Sequence, residues 1–288
     1  MLPIYLLHDI VILFIVCGDW RGILFVFFLQ NILAQTPNDL LKEYNKHAYF
    51  SVPILNKEQL KSLLEGKVVK VIDHNPNESG PSRAVGYFIS NFEKEDLWIA
   101  TQDPHFTVQS STTEFLLERD KTVPDKTMWY GYLDAPWPIN DRYWVVSSWN
   151  NHSLSEKTNN LYWEHPWELL KEGPSISRKY MDQNVIKKGT KAQLDSAIYT
   201  PYNQGAWGMM SIVDTSISGN TLIVYHAKTV VGGSIPESLI LQITYNGLDD
   251  LLRDLDERTR KKVPVHYVKG HDVIYGGHGK IIPPKYPN

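Results

Sequence analysis

Apolar and polar positions alternate with different periods along this chain, and each change of period marks an element. The first 34 residues stand apart: Ile10–Cys17 and Gly22–Leu29 are unbroken apolar runs separated by Gly18-Asp19-Trp20-Arg21. Polar sequence begins at Gln35. Thr36-Pro37-Asn38-Asp39 reads as an N-cap, a proline at the first helical position and an acid in the first turn, predicting a short helix to about His47. Asn56 caps a second helix, Lys57–Glu65, with Leu60, Leu63 and Leu64 on one stripe and Gly66 as its stop. Val68–Ile72 and Arg83–Ile89 read as strands joined by a turn-rich segment. Ser90 and Glu93 form a capping box that predicts a helix through about Ala100.

Strand-like runs follow at Val108–Arg119, Thr127–Leu133, Arg142–Trp149, Ile198–Val213 and Thr221–Val231. Leu161–Trp167 has an aromatic alternation that favours a strand and a proline, Pro166, that opposes one. The longest helix is predicted over Pro236–Lys262, opened by the capping box Ser234–Glu237. Its first half is apolar nearly all round, predicting burial on more than one side. Its second half narrows to Leu248, Leu251, Leu252 and Leu255, opposite the i,i+4 pairs Asp249–Arg253, Asp254–Arg258, Asp256–Arg260 and Glu257–Lys261, which read as a solvated face. After Pro264 a Gly- and Pro-rich tail closes the chain, readable as an ordered strap or as a loose end. This order predicts an α+β fold in which a curved antiparallel sheet buries the long helix and encloses volume beneath it.

Composition narrows the function classes. The chain is 42% hydrophobic and 21% charged, with a formal charge of −3, so it offers no global field for nucleic acid and no nucleic-acid partner is expected. Its single cysteine, Cys17, excludes an intrachain disulfide or a cysteine-rich metal knuckle. The leader has the layout of a secretory signal with cleavage after Ala34, predicting an exported (periplasmic or secreted) protein. The alternative is a retained membrane anchor, against which stand Asp19 and Arg21 inside the apolar stretch. The organisation expected is a leader over residues 1–34, a helical segment over 35–65, the main domain over 66–262 and a tail over 263–288.

Asp134-Ala135-Pro136-Trp137-Pro138-Ile139-Asn140-Asp141-Arg142 is the most distinctive run, with two prolines fixing an extended approach and Asn140-Asp141 turning the chain into an aromatic strand. It resembles the P-W-P-x-x-x-R-D-x-V segment of START domains, the steroidogenic-acute-regulatory-related lipid transfer family. Gly232-Gly233-Ser234-Ile235-Pro236-Glu237-Ser238-Leu239 resembles the G-x-I/L-P-x-x-L segment that opens the last helix of that family. Tyr143 departs from the family pattern, where an aspartate follows the arginine. The resemblance covers roughly residues 66–262 and implies a helix-grip fold holding a lipid or other hydrophobic small molecule between sheet and helix, exchanged through a transient membrane contact.

On that reading the candidate pocket residues are Trp129, Tyr130, Arg142, Trp144, Trp207, Tyr225, His226, Leu239 and Ile243, with Gly232 and Gly233 as a hinge. Strand alternation admits only half of the strand residues to a cavity, and the sequence does not say which half. Arg142 reads either as a turn-holding residue or as a ligand contact. No cofactor, metal or catalytic residue is predicted. His266, His271 and His278 fit no compact zinc spacing, Gly276–Lys280 lacks the leading glycine and trailing Ser/Thr of a phosphate loop, and neither a GxSxG elbow nor a Rossmann fingerprint is present. Two rival readings stand beside lipid binding: a helix-grip enzyme of the cyclase or hydrolase type acting on a hydrophobic substrate through a pocket histidine, for which His226 is the candidate, or a carboxylate, and a pocketless interaction module.

Overall fold

The computed structural model describes residues 6–7, 10–11, 35–74, 81–102, 112–135, 140–183, 195–233 and 235–286. The chain divides into two units, Met1–Gln35 and Thr36–Asn288. In the first, β1 (Leu6–Leu7) and β2 (Ile10–Val11) form a two-residue antiparallel pair.

The second unit is built on a nine-stranded sheet in the order β3 (Val69–Asp73), β4 (Arg83–Ser90), β11 (Thr221–Val230), β10 (Tyr202–Ser211), β8 (Tyr162–Leu169), β7 (Arg142–Ser148), β6 (Thr127–Leu133) and β5 (Thr112–Arg119). Those pairings are antiparallel, and β9 (Ile198–Tyr199) adds a short parallel pairing to β7. Pro166 is accommodated inside β8 because the β7–β8 ladder runs only from Trp167 to Leu169, so its missing N–H falls where pairing to β7 has ended.

The long helix, α6 (Glu237–Lys261), lies against one face of this sheet, termed the inner face. Gly86 marks the contact: a β-carbon there would stand 2.9 Å from Leu252 Cδ1. The first two helices, α1 (Pro37–Asn45) and α2 (Lys57–Leu64), pack on the outer face, where Leu40, Leu41, Tyr44 and Leu63 join Val85, Tyr87, Leu222 and Val224 in one core. Both helices start where their capping boxes predict, at Thr36 with Asp39 and at Asn56 with Gln59. Helix α5 (Gly173–Asp182) covers the other end of the outer face through Tyr180 and Met181, against Tyr130, Tyr143 and Val145.

Two expectations are corrected here. Helix α3 (Lys94–Gln102) begins four residues after Ser90, which ends β4 and donates its hydroxyl to Asp256 of α6. Asp256 is thereby taken out of the predicted charge ladder, while Arg253–Asp249, Arg258–Asp254 and Lys261–Glu257 do pair. Second, α6 buries only its second half, through Leu248, Leu252, Leu255 and Thr259; Leu239 and Ile243 are 43% and 59% exposed. An all-round apolar pattern gives a capacity for burial, realised only where another element reaches it. The tail is the ordered strap of its two alternatives and packs into the core. After α7 (Val263–His266), Tyr267, Ile274 and Ile282 pack with Trp98, Trp163 and Leu252. Trp98 Nε1 and Asn150 Nδ2 both donate to the Tyr275 carbonyl, which ties the tail to α3 and to the end of β7. Between β7 and β8 stands a further short helix, α4 (His152–Lys157), capped by Asn151.

Candidate functional site

Cross-strand register carries the inner face from Gly86 across the sheet to β5. On it stand Tyr225 of β11, Trp207 of β10, Trp167 of β8, Trp144 of β7 and Trp129 of β6. All five are half-buried, although most of their strand neighbours are buried. Three of the rings touch: Trp207 and Tyr225 have centroids 4.5 Å apart, and Trp167 and Tyr225 are 5.8 Å apart. Two glycines make room for this. A β-carbon at Gly131 would lie 2.1 Å from the Trp144 indole, and one at Gly205 would lie 2.5 Å from the indole of Trp167. Each indole therefore lies across a position where any side chain would displace it. Polar ring atoms are satisfied locally, with Trp129 Nε1 donating to Thr127 Oγ1 at 2.9 Å and Trp167 Nε1 to Asn203 Oδ1 at 3.2 Å.

A pair of opposite charges edges this aromatic surface. Glu114 of β5 sits opposite Gly131, hence on the inner face, and burial pushes its carboxyl up to about 7 against the opposing pull of Arg258 on α6. Arg258 also pairs with Asp254 at 2.8 Å. Burial, helped by Glu114, raises the Tyr225 phenol. His165, opposite Trp207, is buried; burial and the charge of Arg119 push its imidazole down to about 3, and its Nδ1 lies 2.8 Å from Asn150 Oδ1. The face thus offers a broad aromatic bed with one carboxyl able to exist protonated near neutrality and one guanidinium acting on it.

Of the residues singled out in the sequence, Trp129, Trp144, Trp207 and Tyr225 lie on this face. Tyr130 and His226 do not. Alternation turns both outward, Tyr130 into the core under α5 and His226 against the Phe50 ring, edge to face at 5.5 Å. His226 is 1% exposed, its two ring nitrogens have no hydrogen-bond partner among the described residues, and burial with the charges of Arg83 and Lys228 pushes its imidazole well below the ordinary range. Leu239 and Ile243 point to solvent.

Arg142 is 3% exposed, and among the described residues its hydrogen bonds all go to backbone carbonyls: Nε to Val231 at 2.5 Å, Nη2 to Gly232 at 3.0 Å, and Nη1 to Asp141 at 3.1 Å and to Asn140. It is the turn-holding residue. Its guanidinium joins the turn before β7 to the connection between β11 and α6, the two places that carry the resemblance. Gly232 and Gly233 have φ of +71° and +72°, and a β-carbon on Gly233 would approach Arg142 Nη2 to 3.2 Å, so glycine is required there on conformational grounds. Pro136–Ile139 and Ser234 lie outside the described residues.

Sequence reasoning missed Trp167 and Glu114. Trp167 was hidden by the proline beside it. Glu114 was hidden because only the register with β6 puts a strand carboxylate beneath α6.

No known sequence family matches the chain, and no curated protein is similar enough to count as a relative. Among solved structures, human STARD10 is similar over 73% of this chain and 82% of its own, at 11% identity and a TM-score of 0.50. A STAR-related lipid transfer protein from Xanthomonas axonopodis matches over 67% of this chain and 94% of its own, at 17% identity and a TM-score of 0.48. Human StAR-related lipid transfer protein 5 matches over 68% and 83%, at 10% identity and a TM-score of 0.48. Identities this low speak to architecture alone, and the architecture is clear: an antiparallel sheet packed on a long carboxyl-terminal helix, with START domains as its structural neighbours, gives this chain a START-like helix-grip fold.

Proposed function

We propose that the chain binds a lipid or similar hydrophobic small molecule between the inner face and α6. One observation carries the reading: Trp129, Trp144, Trp167, Trp207 and Tyr225 all stand half-buried on the sheet face turned to the long helix, and the rings of Trp167, Tyr225 and Trp207 touch in sequence. Large apolar surface left partly uncovered inside a fold favours an apolar occupant, each Å² removed from water contributing about 25 cal/mol. Glu114 and Arg258 supply the polar end. A hydroxyl or carboxyl head group would accept from or donate to a carboxyl that sits near its midpoint at neutral pH.

His226 is separated from this face by the sheet, so a reaction using that histidine on the same ligand is not carried forward. As part of the same proposal, residues 1–34 direct export with cleavage after Ala34, and transfer involves brief membrane contact. Mass measurement of the mature amino terminus tests the first; a terminus well before Gln35 contradicts it.

Titration with a fluorescent fatty-acid or sterol analogue tests the binding itself. Saturable uptake with quenching of tryptophan emission is expected, weakened about tenfold or more by Trp207→Ala, since losing a large buried aromatic contact is worth at least 1.4 kcal/mol. Linear, non-saturating uptake unaffected by that variant contradicts the proposal.

A further inference from the structure

A cavity of about 550 Å³ lies away from the aromatic face, between the β5–β6 hairpin and the ends of β7 and β8. Val123, Trp149, Leu169 and Leu170 give it apolar walls, and Asp125 and Glu168 give it two carboxylates. Glu168 pairs with Ser147, whose side chain alternates to the outer face, so the sheet separates this groove from the proposed lipid site. Trp149 packs edge to face on Tyr49 at 5.1 Å, and the Tyr49 hydroxyl donates to Glu168 Oε1 at 3.2 Å.

The charges in this groove are incompletely answered. The Asp125 side chain is only 4% exposed, and one of its oxygens accepts from His152 Nε2; the other has no hydrogen bond among the described residues. Glu168 is half-buried, and no described cation lies within 4 Å of it. Lys126, the lysine of the lining, is exposed and makes no ion pair with either carboxylate. Asp125 has His152 as its partner, whereas Glu168 has no ion pair among the described residues; a carboxylate so placed in a partly apolar groove favours a cation, as does the aromatic face beside it. The volume falls within the range of small-molecule sites.

We propose that this groove binds a small organic ammonium with an apolar body, its nitrogen held by Glu168 and Asp125 and its body resting on Trp149 and Leu170. The site is independent of the lipid reading and uses none of its residues.

Calorimetric titration of the full chain with phenethylamine, set against 2-phenylethanol and 3-phenylpropionate, tests this. The amine is expected to bind saturably, with the neutral alcohol and the anion at least about tenfold weaker, because the hydrogen bond to a charged partner is what the alcohol lacks. Glu168→Gln should weaken the amine by about tenfold or more while Trp207→Ala leaves it unchanged. Equal binding of amine and alcohol, absence of saturable amine binding, or full amine affinity in a folded Glu168→Gln protein would overturn the proposal. If Glu168→Gln fails to fold by circular dichroism, the amine-to-alcohol ratio on the unaltered chain decides alone.

Discussion

Replacing Arg142 separates the two roles its sequence position allows. The guanidinium is 3% exposed and, among the described residues, makes four hydrogen bonds, all to backbone carbonyls, on Val231, Gly232, Asn140 and Asp141. Arg142→Met keeps much of the stem's packing, removes the charge and leaves those acceptors short of donors where water is scarce. Leaving buried polar groups unpaired costs about 1–3 kcal/mol each, and breaking a buried charged network typically costs about 3–5 kcal/mol in total. Arg142→Met is therefore expected to lower the unfolding free energy by about 3–5 kcal/mol. Arg142→Lys should recover less than half of that, since one ammonium cannot span acceptors that a planar fork reaches from three nitrogens. Urea denaturation followed by tryptophan fluorescence measures both, with the slope checked for constancy. Loss of under about 1 kcal/mol in Arg142→Met, together with abolished ligand binding, would refute the turn-holding role and restore a direct ligand contact.

Three further outcomes follow from the buried polar groups and close approaches. His165 is held at about 3 against an unfolded value near 6.5, so the unfolded chain takes up its proton first and stability falls as pH drops from about 6.5 toward 3. Between pH 7 and 5 the unaltered chain should lose roughly 2 kcal/mol more than His165→Leu. His226 acts in the same direction, while Glu114 and Glu164, both raised by burial, act oppositely, so the difference between the two proteins is the quantity to read; no pH dependence in it would refute the assignment. Glu164 accepts from the backbone N–H groups of Tyr49 and Phe50 and from Asn151 Nδ2, so Glu164→Leu should free residues 46–55 for limited proteolysis and cost about 3 kcal/mol; unchanged cleavage kinetics would contradict this. Gly131→Ala puts a β-carbon into the Trp144 indole and should destabilise by about 1–3 kcal/mol with a red-shifted emission, and an unshifted spectrum at full stability would show that the indole does not lie there.

Local signals were legible and register was not. Thr36, Asn56 and Gly66 mark helix ends through groups within four residues of each other, and all three act in the structure as their types require. The strands β4, β6, β7, β10 and β11 also fall close to their apolar runs. Ser90 misled because a serine three residues before a glutamate has the form of a capping box, while its hydroxyl is taken by Asp256, 166 residues away. Likewise, Tyr130 and His226 are as apolar or aromatic in pattern as Trp129 and Tyr225, and a one-residue offset in alternation sends neighbours to opposite faces. Long-range pairing decides that offset. The tail shows the same limit: Gly276 and Gly277 look like loop residues, yet β-carbons there would collide with Trp163, and their smallness lets the strap close on the core.

The central claim is that the aromatic inner face holds an apolar occupant. Native mass spectrometry of the freshly purified chain, followed by solvent extraction and identification of what is released, tests it most directly. A discrete added mass that extracts as a hydrophobic small molecule, and that is lost in the double variant Trp207→Ala with Tyr225→Ala, is the predicted result. Bare protein that takes up no lipid when incubated with vesicles would contradict it.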